Sequence, residues 1–335
     1  MTAKIPKKRI AFSTAMFAVM TGVSLLCFEF LGMENNLVSI MVVVQCIMVF
    51  LTRLDENPAA LAGKILALNL CLCILAGLAD MNIWLGLVIN FGVFFWGPYL
   101  LFRDRGMQIY YPFMLNYIYM MVGHPLTFGH MSHRIIIVVC GAVIVGLLQI
   151  IVYKKVHNKE ENPEKAAIRH NFMKPGPMDT KSLRFSFAFR LALGVTLMWL
   201  VVKLFDIEYG KWLIISTHSI IMPTVPAAAT KITKRISGNL VGFGIFFVIF
   251  ALVPSLKIRL LMVAIAGYCS LYFMNRYEVR AACFSFMSLS AISFTEPAGI
   301  GFVFRRPVFV IAGSLFAMTI NLLILRHDKE NTEDI

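Results

Sequence analysis

The residues best suited to chemistry in this chain are cations set among apolar neighbours. Arg190 lies inside the run Phe185-Ser186-Phe187-Ala188-Phe189-Arg190-Leu191. A charge at depth in hydrocarbon costs a few kcal/mol on insertion scales and normally turns to a cavity or a partner. Arg190 is thus either a cation that holds a carboxylate or a side chain that snorkels back along its own stem. Arg305, Arg306, Arg134 and Lys211 form a second group at the ends of apolar runs. A ring of cations at a pore mouth favours anions, and the same residues serve equally as anchors to lipid phosphates.

Trp212, Ser216, Thr217, His218 and Ser219 precede Pro223. Proline removes a backbone donor, and interrupted membrane helices line substrate sites. Thr217 and His218 are therefore candidate hydrogen-bond donors to a carboxylate, ordinary contacts between helices being the alternative. Tyr110, Tyr111, Tyr117 and Tyr119, with Phe94, Phe95, Trp96 and Tyr99, can stack a ring or form an interfacial belt. The expected substrate-binding set is Arg190, Thr217, His218, Arg305, Arg306, Arg134, Lys211 and Trp212. No catalytic residue, metal or cofactor is expected. His124, His130 and His133 have no nearby carboxylate or cysteine to complete a ligand set, and the seven cysteines show no C-x-x-C spacing. His218 has no deep carboxylate for acid–base work, and no G-x-x-x-x-G-K-[ST] phosphate loop is present.

The elements that hold these residues follow from composition. Of 335 residues, 59% are apolar and 15% charged, against about 45–50% and 25% in a soluble domain. The formal charge of +13 sits in short clusters between long uncharged runs, which points to a membrane protein rather than a nucleic-acid binder. Twelve spans of roughly helical length are predicted, at 10–31, 37–52, 63–79, 82–102, 107–122 and 134–153, then 184–205, 211–225, 236–253, 257–274, 279–294 and 303–325. The apolar runs do not alternate as barrel strands do, so the fold class is an all-α integral membrane bundle. With the N-terminus inside, 23 of the 31 Lys and Arg fall on the cytoplasmic side and 7 outside. That satisfies the positive-inside rule with both termini cytoplasmic, and it brings the inner cations to anionic lipid.

The two halves repeat. Arg9 matches Arg184 and Gly63 matches Gly238, Arg105 matches Arg276, and Arg134–Gly141 matches Arg306–Gly313, at offsets of 175, 171 and 172 residues. The expected organisation is a first six-helix repeat at 1–153, a basic cytoplasmic linker at 154–183, a second, parallel repeat at 184–325 and a tail at 326–335. Parallel repeats are common in transporters, with the substrate path at their interface.

One stretch carries a more specific likeness. Tyr209-Gly210-Lys211-Trp212, a short apolar run, Met222-Pro223-Thr224, then Lys234-Arg235 and Ile236-Ser237-Gly238-Asn239-Leu240-Val241-Gly242 resemble the fusaric acid resistance/aromatic acid exporter superfamily. The Arg305-Arg306 pair opening the last span also fits, and the absence of a large soluble domain resembles its compact DUF2955-type branch. The first half carries the pattern more weakly, with Asn57-Pro58 and no basic pair before Gly63. The resemblance implies a bacterial inner-membrane efflux transporter, not an enzyme. Its passengers would be small organic anions, aromatic or amphipathic carboxylic acids, moved by membrane potential or proton-motive force. It further implies a periplasmic adaptor of the HlyD membrane-fusion type, and leaves a homo-oligomer open. A passive anion channel and a non-transporting scaffold for an envelope complex are the alternatives.

Overall fold

Backbone groups removed from water have to pair within their own segment, so long apolar runs become helices. The computed structural model describes residues 7–31, 38, 41–42, 44–45, 58–101, 107–122, 128–157, 180–273, 276–295 and 301–324, with no strand among them. The helices described are α1 (Lys7–Leu31), α2 (Pro58–Met81), α3 (Ile83–Leu101), α4 (Met107–Val122), α5 (Phe128–His157), α6 (Leu183–Leu204), α7 (Lys211–Ile220), α8 (Val225–Leu252), α9 (Leu256–Tyr272), α10 (Tyr277–Thr295) and α11 (Gly301–Leu323). Five of these segments are long and apolar enough to cross a membrane: Ala59–Met81, Ile83–Leu101, Leu183–Leu204, Val225–Leu252 and Val303–Leu323. The chain is a multi-pass membrane protein. Bulky apolar side chains face outward, Trp84 and Val88 on α3 being 68% and 67% exposed, as a lipid solvent allows.

Most of the expected span at 37–52, the linker from 158 to 179 and the tail at 326–335 lie outside the described residues. Two bounds differ from expectation. The span predicted at 211–225 stops as a helix at Ile220, and the one predicted at 236–253 begins at Val225. Thr224 is extended (φ −119°, ψ 151°) at the N-cap and a proline follows in the first turn, where its fixed φ suits a helix start. The basic residues Lys231, Lys234 and Arg235 therefore lie on α8 itself. At 1.5 Å per residue, the 28 residues of α8 extend about 42 Å, longer than the hydrocarbon core of about 30 Å. Its basic first turns thus reach the membrane–water boundary.

The helices fall into two compact units. One holds the start of α1 to Gly22 and the chain from Leu204, which includes α7–α11; the other holds the rest of α1 and α2–α6. In the second of these, α2 packs on α3, α4 and α5, and α3 on α4. There α6 joins through aromatic contacts, Phe185 on Phe95, Phe189 on Phe91 and Phe187 on Tyr110. Arg184 donates to the Tyr99 carbonyl and stacks on that ring, which satisfies an orphan carbonyl at the end of α3. In the unit from Leu204, α10 packs on α8 and α9, and α11 on α7 and α8. Phe246, Phe286, Leu289 and Val303 form its core.

In that unit α8 and α10 approach each other backbone to backbone. A Cβ built on Gly238 would stand 2.4 Å from the Glu278 carbonyl oxygen, and one on Gly242 would stand 2.2 Å from that of Ala282. The Gly238/Gly242 pair is a small-xxx-small face, which lets membrane helices meet backbone to backbone. Ser285 Oγ then reaches the Asn239 carbonyl at 3.2 Å. Among the described residues outside its own helix backbone, Gly63, the sequence match of Gly238, has no heavy atom within 4 Å of the same position.

Candidate functional site

The site grows from the interruption between α7 and α8. Ten residues of α7 rise only about 15 Å, and Ile221–Thr224 then run without helix before α8 begins. A helix end in apolar surroundings leaves carbonyls to be satisfied. Asn321 of α11 does this, donating from Nδ2 to the Ile220 carbonyl at 3.1 Å and accepting from the Met222 N–H at 3.4 Å. Thr217 Oγ1 donates to the Gly313 carbonyl at 3.2 Å, and a Cβ on Gly313 would lie 2.6 Å from the Leu213 carbonyl oxygen. The short helix is therefore held backbone-close against α11, with its end fastened by one asparagine.

On the other side of α7 stands Arg235, from α8. Its Nη1 donates to Ser219 Oγ at 3.0 Å and to the Tyr277 hydroxyl at 3.1 Å, and its Nη2 donates to Ser216 Oγ at 3.2 Å. Ser219 and Tyr277 share a further hydrogen bond of 3.2 Å. One guanidinium thus ties α7, α8 and α10 together. Lys231 and Arg280 stand 5.6 and 5.5 Å from the centre of the Tyr277 ring, within cation–π range. His218 is buried beside this group, with Lys231 and Arg235 as its charged neighbours.

Tyr277 also lines an open cleft of about 610 Å³, together with Met222, Thr224, Thr230, Lys231 and Lys234. The volume falls within the usual range for small-molecule sites, about 300–1,000 Å³. Two ammonium groups, two threonine hydroxyls, an aromatic face and a thioether suit an anion that also carries an apolar body.

The residues singled out from sequence have diverse surroundings. Thr217, His218, Lys211, Trp212, Arg305 and Arg306 belong to the unit from Leu204, and Arg190 and Arg134 to the other. Arg306 is buried, donates to the carbonyls of Ser285 (2.9 Å) and Phe284 (3.4 Å), and lies 4.0 Å over the Trp212 ring. Arg305 is half exposed and paired with Glu208. Arg134 is buried and donates to the Met120 carbonyl at 3.1 Å. Arg190 is fully buried, its Nε donating to the Ser186 carbonyl one turn back on α6 at 3.3 Å. Lys211 opens α7. Neither His124 nor the side chain of His130 is among those described. Among the described residues no group of three His, Cys, Asp or Glu is placed to hold a metal.

Sequence reasoning missed the centre of the cleft. In the sequence Lys231 reads only as inner-side charge and Arg235 as half of a basic pair in the family-like motif, because the span predicted at 236–253 begins after them. The Thr224–Pro226 start signal is what would have put them on a helix facing α7. Nothing local marks Tyr277, since its role depends on α10 lying across α8.

Comparison with known proteins bears on this same half. Residues 197–320 match the family described as Fusaric acid resistance protein-like. The chain is 27% identical over 128 residues to "Uncharacterized protein ORF2" of Neisseria gonorrhoeae, covering 38% of this chain and 30% of that protein. It is 26% identical over 104 residues to "Inner membrane protein YccS" of Escherichia coli K12, covering 31% of this chain and 14% of that protein. Less than a third of either relative's length is therefore aligned. No solved structure matches. The matched segment runs from the end of α6 through the broken helix, the Arg235 network and nearly all of α11, and over it the chain is similar to the fusaric acid resistance protein-like family.

Proposed function

We propose that this chain is an inner-membrane exporter of small organic anions, with aromatic or amphipathic carboxylic acids as its passengers. The observation that carries this reading is the cleft: Lys231 and Lys234 beside the Tyr277 ring, backed by Arg235, at the interruption between α7 and α8. These cations belong to the cytoplasmic set of the charge bias, so the cleft is the intake side and transport runs outward. The printed name of the Escherichia coli relative favours the inner membrane. Carrying a monoanion out of a negative-inside cell is favoured by about 2.3 kcal/mol per 100 mV, so membrane potential supplies a driving force, with proton-motive force the other candidate. A HlyD-type adaptor receives the passenger, and both termini are cytoplasmic.

We also infer that the bundle is a duplication of six-helix halves, at 1–153 and 184–325. The pairs α2·α5, α2·α4 and α3·α4 recur as α8·α11, α8·α10 and α9·α10. The matched Arg134 and Arg306 each donate to carbonyls of the helix before their own. Within the unit from Leu204, Thr217 and His218 are the proposed lining of a deeper path, with Lys211, Trp212, Arg305 and Arg306 drawing the anion outward; Arg190 and Arg134 are the proposed anion-binding cations of the other unit.

The test is uptake of radiolabelled benzoate into inside-out proteoliposomes under an imposed potential. Export predicts potential-dependent uptake that Lys231→Gln and Arg235→Gln each reduce at least tenfold. Uptake unaffected by both substitutions, or none across a panel of organic acids, overturns the reading.

A further inference from the structure

The guanidinium edge of Arg235 offers two parallel donors, the fork that fits a carboxylate bidentately. Here that edge faces oxygen atoms of three neutral hydroxyls, those of Ser216, Ser219 and Tyr277. Ser216 and Ser219 are 0% and 1% exposed while Arg235 and Tyr277 are part-buried, so the inner end of this donor group lies out of water, where a charge-assisted bond to an anion is stronger than at a surface. Each hydroxyl that accepts from Arg235 carries one hydrogen of its own; one of those of Ser219 and Tyr277 is spent on the bond between them, and departure of the Tyr277 hydroxyl leaves that of Ser219 to donate. Guanidinium and serine hydroxyls together are then a set in which every member can donate to one oxyanion.

Of the three, Tyr277 comes from a different helix, α10, and lines the open cleft with its other surface. Its ring lies within cation–π range of both Lys231 and Arg280 while its oxygen accepts from Arg235. An aromatic body among cations, with an oxygen on the fork, occupies the position a bound aromatic carboxylate would take. We infer that Arg235, Ser216 and Ser219 form a buried oxyanion seat at the back of the cleft, and that the Tyr277 hydroxyl fills it until an anion displaces it. The inference rests on the organic-anion reading above and adds to it the residues that take the carboxylate and the group that competes for them.

The competition sets the sign of the test. In full-length protein in nanodiscs, with benzoate as the probe, Tyr277→Phe keeps the ring and both cation–π contacts but removes the competing oxygen. Benzoate is expected to bind this variant about 5–10-fold more tightly than wild type, the order of one hydrogen bond of ordinary net worth. Arg235→Gln is expected to weaken binding more than tenfold. If Tyr277 instead touches the ligand or only supports the fold, Tyr277→Phe binds equally or more weakly, and the seat is refuted. A second measurement needs no ligand. Ser216→Cys, with Ser219→Cys as an alternative reporter, is treated with a membrane-impermeant maleimide and the label is located by mass spectrometry. Labelling is expected to run several-fold faster when Tyr277→Phe is also present. Faster labelling with no benzoate binding to any variant removes the organic-acid reading and supports an occluded seat. Benzoate binding and labelling both unchanged by Tyr277→Phe remove the seat and leave that reading intact.

Discussion

Adding one carbon at Gly242 tests the packing that holds the cleft together. A Cβ there would lie 2.2 Å from the Ala282 carbonyl oxygen and 2.7 Å from Ser285 Cβ. Ordinary contact between heavy atoms needs about 3.5 Å, so α8 and α10 must part by about 1 Å. No side-chain truncation on α10 relieves the clash, because the nearest obstacle is backbone. Parting by that much stretches the 3.2 Å bond from Ser285 to the Asn239 carbonyl beyond useful length, a loss of about 0.6 kcal/mol by the average for membrane interiors. Overpacking itself costs about 1–3 kcal/mol. Gly242→Ala is therefore expected to destabilise the protein by about 2–4 kcal/mol, read by reversible denaturation in mixed detergent micelles. Gly244, two residues on, has nothing from another helix within 4 Å of the corresponding position among the described residues. Gly244→Ala should be neutral or gain up to about 1 kcal/mol from helix propensity. Equal stability of the two variants, to within about 0.5 kcal/mol, would refute the backbone-close contact.

Other expectations are as specific. Gly238→Ala should behave like Gly242→Ala, while Gly63→Ala, its match in the first half, should leave the unfolding midpoint unmoved, since among the described residues no other helix stands near its Cβ position. Asn321→Leu removes the partner of both the Ile220 carbonyl and the Met222 N–H. Two buried backbone groups lose their bonds, so a destabilisation of about 2 kcal/mol or more is expected, with faster proteolysis at 221–224 as the local readout. Arg306→Lys gives up the fork and the stack on Trp212 and should lower the thermal midpoint by several degrees. Arg305→Ala breaks only an exposed pair with Glu208, and surface pairs contribute little, so its midpoint should stay within a degree of wild type.

Much of the membrane fold was legible because the bilayer imposes one-dimensional rules. The length of an apolar run is written along the chain, so the helix α4 matched the predicted bounds of 107–122 to the residue and α3, α6 and α9 matched to within two. The break at Pro223 was legible for the same reason, since a proline acts on its own helix. Partners were not. A helix that is apolar on every side gives no periodic signal of which face turns inward, and each residue advances 100° around the axis, so the choice of neighbour waits on packing. Asn321 read as one more polar residue in a span; only α11 lying along α7 made it the fastening of a helix end.

The same contrast holds at the cleft. Composition by itself determined a multi-pass helical membrane protein, because hydrocarbon leaves backbone no partner but itself. Tertiary structure alone decided that Arg235 spends its fork on Ser216, Ser219 and Tyr277, and that Arg306 spends its own on carbonyls of α10. A guanidinium reaches whatever acceptor the rotation of its helix presents, and that rotation is set here by two glycines meeting the backbone of another helix.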